Sequence, residues 1–248
     1  MGRFDDTTAI VTGAGSGIGR ATALRLASEG AAVACLDVSG AEEETAASAV
    51  ALGSKAVAVR CDVSDEESVR EAVARAVSAL GPPRVVCNVA GVGRFTHTPE
   101  VALAEWERIV GVNLTGPFLV CRETLPYLLE NQGNIVNVAS TAGIMGQPYS
   151  AAYCASKGGV IMLTKALAVE YLERNVRVNA VAPGGVETPI LASFVPPEDS
   201  SMKLVERIVS PMGMAKPEEI AALIAFVASD EARYMTGAVV TMDGGLTA

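Results

Sequence analysis

Residues 7–19, TTAIVTGAGSGIG, followed by RATALRLASEG, leave the chain few folds to choose from. The run through Thr8, Ile10 and Val11 reads as a buried strand and the glycines as a turn, with Ala21, Leu24, Ala27 and Ser28 as the inner face of a helix. Gly13, Gly17 and Gly19 are spaced G-x3-G-x-G, so the chain can turn sharply, offer bare N–H groups to an anion and pack helix on strand. The positive end of the helix then faces a pyrophosphate. The pattern differs from the commoner G-x-G-x-x-G, which would put its last glycine at Ile18, and alone it fits a glycine turn in any α/β domain. A second strand over 31–36 adds a constraint, since it ends in Asp37, 20 residues beyond Gly17. A carboxylate there accepts both hydroxyls of an adenosine ribose and repels a 2′-phosphate. A solvated strand-end aspartate is the plainer alternative.

Strand and helix patterns alternate along the rest of the chain, which predicts a parallel sheet covered on both faces. A helix over 41–52 leads to a strand over 56–60. Ser64 and Glu67 form a capping-box pattern opening a helix that runs to Leu80, where Gly81-Pro82-Pro83 ends it. A strand over 84–88 enters the turn Ala90-Gly91-Val92-Gly93, at a strand's C-terminal end, where open α/β sheets bind ligands. A helix over 103–130 contains Gly111, Asn113, Gly116 and Pro117, residues that weaken or kink it. There follow a strand over 134–138, a helix over 150–173 and a strand over 176–181. Residues 187–215, rich in Pro, Ser and Met, read as a mobile substrate lid. A helix over 217–229 and a strand over 238–242 close the fold.

Half of the 248 residues are apolar, enough for one large core, so residues 1–248 are expected to form a single dinucleotide-binding and catalytic domain. A net charge of −9 without a Lys/Arg cluster argues against nucleic acid or anionic lipid as partner. No apolar run reaches the ~18 residues of a membrane span. Five cysteines, at 35, 61, 87, 121 and 154, form no C-x-x-C, and no secretory signal is read. They are expected to be small buried residues in a reducing compartment, the cytoplasm, rather than disulfides or metal ligands. His97, the only histidine, reads as a loop or core residue, and no metal is expected.

Thr12-Gly13-x3-Gly17-Ile18-Gly19, Asp62-Val63, Asn88-x-Ala90-Gly91, Asn113, Ser140, Tyr153-x3-Lys157, Asn179, Pro183-Gly184 and Asp243-Gly244-Gly245 follow one another in an order and spacing that resembles the short-chain dehydrogenase/reductase family over nearly the whole chain. The resemblance implies a seven-stranded, doubly wound Rossmann-like sheet and hydride transfer between a nicotinamide and an alcohol or carbonyl carbon. It implies Asn113, Ser140, Tyr153 and Lys157 as catalytic residues, Asn113 holding a water that links Lys157 to solvent. It also implies cofactor contacts: Gly13, Ser16, Gly17, Ile18 and Gly19 at the pyrophosphate, Asp37 at the ribose, and Asp62 and Val63 at the adenine. Asn88, Ala90 and Gly91 would meet the adenosine side and middle of the cofactor, Pro183, Gly184, Val186 and Thr188 the nicotinamide amide, and Lys157 the nicotinamide ribose. Val89 stands where the family usually has a second asparagine. Ser16 and Val38 stand where members preferring the 2′-phosphorylated cofactor commonly carry Arg or Lys, so NAD is expected.

Residue chemistry points the same way. Tyr153 and Lys157, four apart, share a helix face. A phenol of reference pKa about 10 needs a nearby cation to act as a base at neutral pH. The Ser140 hydroxyl would orient the substrate oxygen and stabilise developing negative charge. A homo-oligomer, a tetramer by family, is expected from helices 103–130 and 150–173, with Ala151, Val160, Leu163 and Leu167 on the contact faces.

Three functions stand open. The first is an NAD-dependent dehydrogenase or reductase for an apolar secondary alcohol or ketone, with a pocket wall of Ile144, Met145, Pro148, Tyr149, Val92, Phe95, Ile190, Leu191, Phe194, Val195, Met202 and Met212. Arg94, Glu187 and Lys203 are the charged candidates near it. The second is reduction of 3-oxoacyl thioesters on acyl carrier protein, against which Leu129-Glu130-Asn131-Gln132 offers no basic residue. The third is a non-catalytic nucleotide sensor on the same fold.

Overall fold

All five residues of the first strand, β1 (Thr8–Thr12), are buried, as a parallel strand covered on both faces requires. The computed structural model describes residues 2–248. After β1 come α1 (Gly17–Ser28), β2 (Ala32–Asp37), α2 (Glu42–Ala51), β3 (Ala56–Arg60) and α3 (Glu66–Leu80). The second half runs β4 (Val85–Asn88), α4 (Leu103–Val110), α5 (Gly116–Asn131), β5 (Asn134–Val138), α6 (Ala151–Glu170), β6 (Arg177–Pro183), α7 (Met202–Val205), α8 (Pro217–Ala228) and β7 (Val239–Met242). The strands form one parallel sheet in the order β3-β2-β1-β4-β5-β6-β7, the doubly wound arrangement expected.

Alternation along β1 assigns the two cores. Ala9 and Val11 pack with Leu26 of α1, Ala49 of α2 and Ile224 of α8. Ile10 packs on the other face with Val69 of α3 and Leu128 of α5. A smaller cluster joins Val160 and Ile161 of α6 to Ala180 and Ala182 of β6. The chain winds outward from β1 to β3, then returns to β4 on the other side of β1. Strand order therefore reverses between β1 and β4, and the crevice opens at their C-terminal ends.

Four local readings need correction. The inner face of α1 is Gly19, Thr22, Ala23, Leu26 and Ala27, while Ser28 is exposed and its hydroxyl donates to the Arg25 carbonyl. Gly19 sets that phase, because it is the residue pressed against the turn. α3 is capped by Asp65, which accepts from the Ser68 N–H at 2.7 Å; Ser64 instead donates to Asp62 Oδ1 at 2.6 Å, and Glu67 pairs with Arg70. The helix expected over 103–130 is two helices joined by a π turn, Gly111–Thr115, the local opening that glycines on both sides permit. α6 ends at Glu170, and a 3-10 turn, Leu172–Arg174, carries the chain to Asn175 in the left-handed conformation.

Candidate active site

The C-terminal ends of the strands border a cavity of about 590 Å³. The turn after β1 forms its floor, and here two glycines are compelled. Gly13 has φ +67°, and a Cβ on it would lie 2.8 Å from Ala90 Cα. A Cβ on Gly19 would lie 2.0 Å from the Gly13 carbonyl oxygen. The start of α1 is thereby held against the strand end. Ser16, the exposed N-cap, makes no side-chain cap bond, and the first turn carries no acidic residue. The positive helix end is left to the cavity.

Asp37 closes β2 beside that turn. Its Oδ2 accepts from the Gly15 N–H and its Oδ1 from the Ser39 N–H, both at 2.9 Å. Asp62 accepts from the Ser64 N–H and hydroxyl, and Val63 packs so near Gly116 that a Cβ there would come within 2.9 Å. Gly17, Ile18, Ala90, Gly91, Pro183, Gly184, Val186 and Thr188 complete the wall. A bare helix end, a fixed carboxylate one strand away and a continuous crevice between them fit a dinucleotide.

Ser140, Tyr153 and Lys157 border the same cavity. Ser140 follows the end of β5, and its Oγ accepts from the Ala142 N–H at 3.1 Å. Burial pushes the Tyr153 phenol up to about 12, while a hydrogen bond with the Ser140 side chain acts the other way. Burial brings the Lys157 ammonium down to about 8. Lys157 Nζ donates to the Val138 carbonyl at 2.8 Å and lies 5.8 Å from the centre of the Tyr153 ring. Desolvation thus holds Tyr153 as the neutral phenol at neutral pH, while Lys157, lowered only to about 8, remains an ammonium there.

Two expected residues lie outside the cavity lining. Asn88 is buried in the sheet, where Nδ2 donates to Asn137 Oδ1 at 2.9 Å, and Asn137 Nδ2 donates to Thr164 Oγ1 at 2.9 Å. This amide relay ties β4, β5 and α6 together. Asn113 is 0% exposed. It sits in the π turn, accepts from the Val92 N–H at 2.8 Å and donates to the Val92 carbonyl at 2.8 Å and to Ser156 Oγ at 3.1 Å. Asn113 therefore locks the turn after β4 to α6. Ser156 and Thr12 belong to this framework although sequence reasoning assigned them no partner. Thr12 Oγ1 accepts from the Val89 and Ala90 N–H groups at 3.0 and 3.2 Å, so the same turn is fixed with valine in the second-asparagine position. No short sequence pattern announces such pairings.

Residues 187–215 fold over the crevice as a 3-10 turn, Pro189–Ser193, then α7 and a second 3-10 turn, Glu206–Ile208. Thr188 starts this cover directly above the glycine turn, its Cγ2 2.9 Å from where a Gly17 Cβ would stand. Val92, Phe95, Ile190, Leu191 and Phe194 line the cavity as expected, joined by Gln147, Val205, Ile208, Val209 and Met214. Ile144, Met145, Pro148, Tyr149, Val195, Met202 and Met212 do not, nor do Arg94, Glu187 and Lys203. The cover turns its 205–209 stretch inward instead, and Tyr149 braces it from outside, accepting from the Ser201 N–H at 2.7 Å. Among the lining residues the only charged side chains are Asp37, Asp62 and Lys157.

A family model described as enoyl-(acyl carrier protein) reductase matches residues 13–247. The chain is 40% identical over 247 residues to the 3-oxoacyl-[acyl-carrier-protein] reductase of Thermotoga maritima, covering 98% of this chain and 99% of that one. It is 38% identical over 249 residues to the cyclohexanol dehydrogenase of an Acinetobacter species, covering 99% and 96%. Among solved structures, the 3-ketoacyl-(acyl-carrier-protein) reductase of Brucella melitensis complexed with NADH superposes with a TM-score of 0.89 at 38% identity, covering 99% of this chain and 100% of that chain.

Proposed function

Because the chain belongs to the short-chain dehydrogenase/reductase family, oxidoreductases that move a hydride between a nicotinamide cofactor and the carbon of an alcohol or ketone, we propose that its cofactor is NAD(H) and its substrate an apolar secondary alcohol or ketone. The observation that carries the substrate class is the absence of any charged side chain other than Lys157 from the Ser140–Tyr153 end of the described cavity. A sugar or polyacid leaves polar groups unpaired there, at about 1–3 kcal/mol each. An apolar ketone needs area and one polarising pair.

The bound nicotinamide supplies or accepts the hydride. As the phenolate, Tyr153 takes the proton from the substrate hydroxyl in oxidation, and as the phenol it returns a proton to the carbonyl oxygen in reduction. Lys157, the one cation lining the described cavity, favours the phenolate as that proton moves. Ser140 holds the substrate oxygen beside the phenol. Asn113 acts through position: it fixes Val92 and Ser156 and so the distance between the turn after β4 and α6.

Asp37 sets the cofactor choice. Its carboxylate, at the end of β2 beside the glycine turn, would repel a 2′-phosphate on a bound adenosine ribose, and Val38 and Ser16, which line the same cavity, carry no charge. Juxtaposed like charges cost several kcal/mol, so kcat/KM with NAD⁺ is expected to exceed that with NADP⁺ by about 100-fold or more. Steady-state rates with the two cofactors check this, and equal efficiency would remove Asp37 from its assigned role.

A homo-oligomer is supported by apolar side chains left outside the cores. Val160 and Leu167, expected on the contact faces, are instead buried in the subunit. The outward residues are Leu103 at 68%, Met162 at 62% and Val169 at 76% exposure, with Trp106 and Phe118 nearby in sequence. Symmetric association would cover them. Light scattering at micromolar concentration should give a mass above the 25.5 kDa of one chain; a monomer contradicts the proposal.

Reduction of 3-oxoacyl thioesters is the second reading, favoured by the names of two of the relatives above. Initial rates with NAD(H) across secondary alcohols, sugars and 3-oxoacyl thioesters separate the two. An apolar alcohol or ketone is expected to show the highest kcat/KM. A thioester or sugar in that place would replace the first reading.

A further inference from the structure

Gly93, on the turn after β4, is buried with its α-carbon facing the tip of an aromatic ring from the covering segment. A Cβ at this position would lie 2.2 Å from Phe194 Cζ and 3.0 Å from each of its two Cε atoms. The ring is therefore seated end-on in a notch that only the absence of a side chain provides. Gly93 has no positive φ, so its own backbone would accept alanine; the nearest obstacle is Phe194.

From the notch, Phe194 meets two more rings edge to face. Its centroid is 5.0 Å from that of Phe95 at 72° and 5.2 Å from that of Tyr153 at 74°. Ring centres at such distances are in van der Waals contact, so no part of a substrate passes between the Phe194 and Tyr153 rings. Phe194 immediately follows the turn Pro189–Ser193, and its N–H donates to the Leu191 carbonyl at 3.0 Å. That bond fixes the backbone from which the ring descends. A wall anchored at both ends stands against the ring that carries the reacting hydroxyl.

We propose that Phe194, seated against Gly93, is a specificity-determining residue that limits the substrate to single-ring or similarly compact secondary alcohols and ketones and excludes fused rings. The inference rests on the proposed role of Tyr153 in proton transfer. Phe95 and Phe194 line the same cavity as Tyr153 and would border the substituents of a carbinol carbon held at the phenol. One alicyclic ring packs beside them, whereas a second fused ring must occupy the volume of Phe194.

The test compares kcat/KM for 2-decalol and cyclohexanol with NAD⁺ in the full-length protein, its Gly93→Ala and Phe194→Ala variants and the double variant, with Phe194→Leu as a graded substitution. NADH titration verifies that each variant retains a folded cofactor site. The wild type should prefer cyclohexanol. Phe194→Ala should raise the decalol-to-cyclohexanol ratio by about tenfold or more, the scale on which pocket volume discriminates, with Phe194→Leu in between. Gly93→Ala should change the ratio when Phe194 is present and leave it unchanged within about twofold when residue 194 is alanine, because coupling between contacting side chains vanishes once one is removed. A ratio unmoved by Phe194→Ala, or a Gly93→Ala effect of equal size in both backgrounds, overturns the inference while leaving the proposed function intact. A wild type that oxidises neither alcohol but turns over a sugar or thioester overturns the proposed function itself.

Discussion

Replacing Tyr153 by phenylalanine is expected to lower kcat by about 100- to 10,000-fold, the range that general acid–base catalysis contributes, while the Kd for NADH changes little. The substitution keeps the ring that packs on Phe194 and removes only the hydroxyl. Neither the glycine turn nor Asp37 depends on that hydroxyl, so cofactor affinity measured by fluorescence should stay within a few-fold of the wild type. Substrate affinity is expected to weaken modestly, through loss of one hydrogen bond to the substrate oxygen. Turnover that survives the change would show that the proton leaves by another group.

Lys157→Met is expected to abolish turnover and, at neutral pH, to stabilise the fold. The buried ammonium has its pKa lowered from an ordinary 10.5 to about 8 by desolvation. Above 10.5 the folded and unfolded chains both hold it neutral, and burial carries no protonation penalty. Between 10.5 and 8 the unfolded chain binds a proton that the folded chain does not, so stability falls as pH falls. Below 8 the full penalty applies, about 3 kcal/mol for such a shift. Against it stands the hydrogen bond to the Val138 carbonyl, worth about 1 kcal/mol. Denaturant melts should therefore find Lys157→Met more stable than the wild type at pH 7, with the advantage gone by pH 10.5. A variant destabilised by the same amount at every pH would mean that the ammonium is not desolvated in the folded protein. A residue kept at a cost to stability is what a functional role for the cation predicts.

The parts of this molecule that sequence made legible are those whose physics is local. β2 and β4 stand out because a strand covered on both faces must be apolar at nearly every position. Gly13 and Gly19 announce a turn because no other residue fits so close to Ala90 and the Gly13 carbonyl. Asp37 is found by counting from that turn, since the length of α1 and the return strand leave it little freedom. The cap of α3 lies one residue beyond Ser64, at Asp65, because both are good caps and only the course of the chain after Asp62 decides between them. What stayed hidden depends on partners far away in the sequence. The side-chain partner of Asn88, Asn137 on β5, lies 49 residues on and no local pattern marks it. The side-chain partners of Asn113, Val92 and Ser156, are likewise distant in the sequence. The cavity wall between Val205 and Val209 has no helix or strand period to announce which side chains turn inward.

This cavity is expected to move a hydride directly between the carbinol carbon of an apolar alcohol and the nicotinamide of NAD. The most direct measurement uses cyclohexanol carrying deuterium on its carbinol carbon, with unlabelled NAD⁺, followed by mass and NMR analysis of the NADH produced. The predicted result is NADH with one deuterium per turnover on the reduced ring, no label lost to water, and no product in the Tyr153→Phe variant on the same timescale. NADH without deuterium, or no NADH from this or any other apolar secondary alcohol, would contradict it.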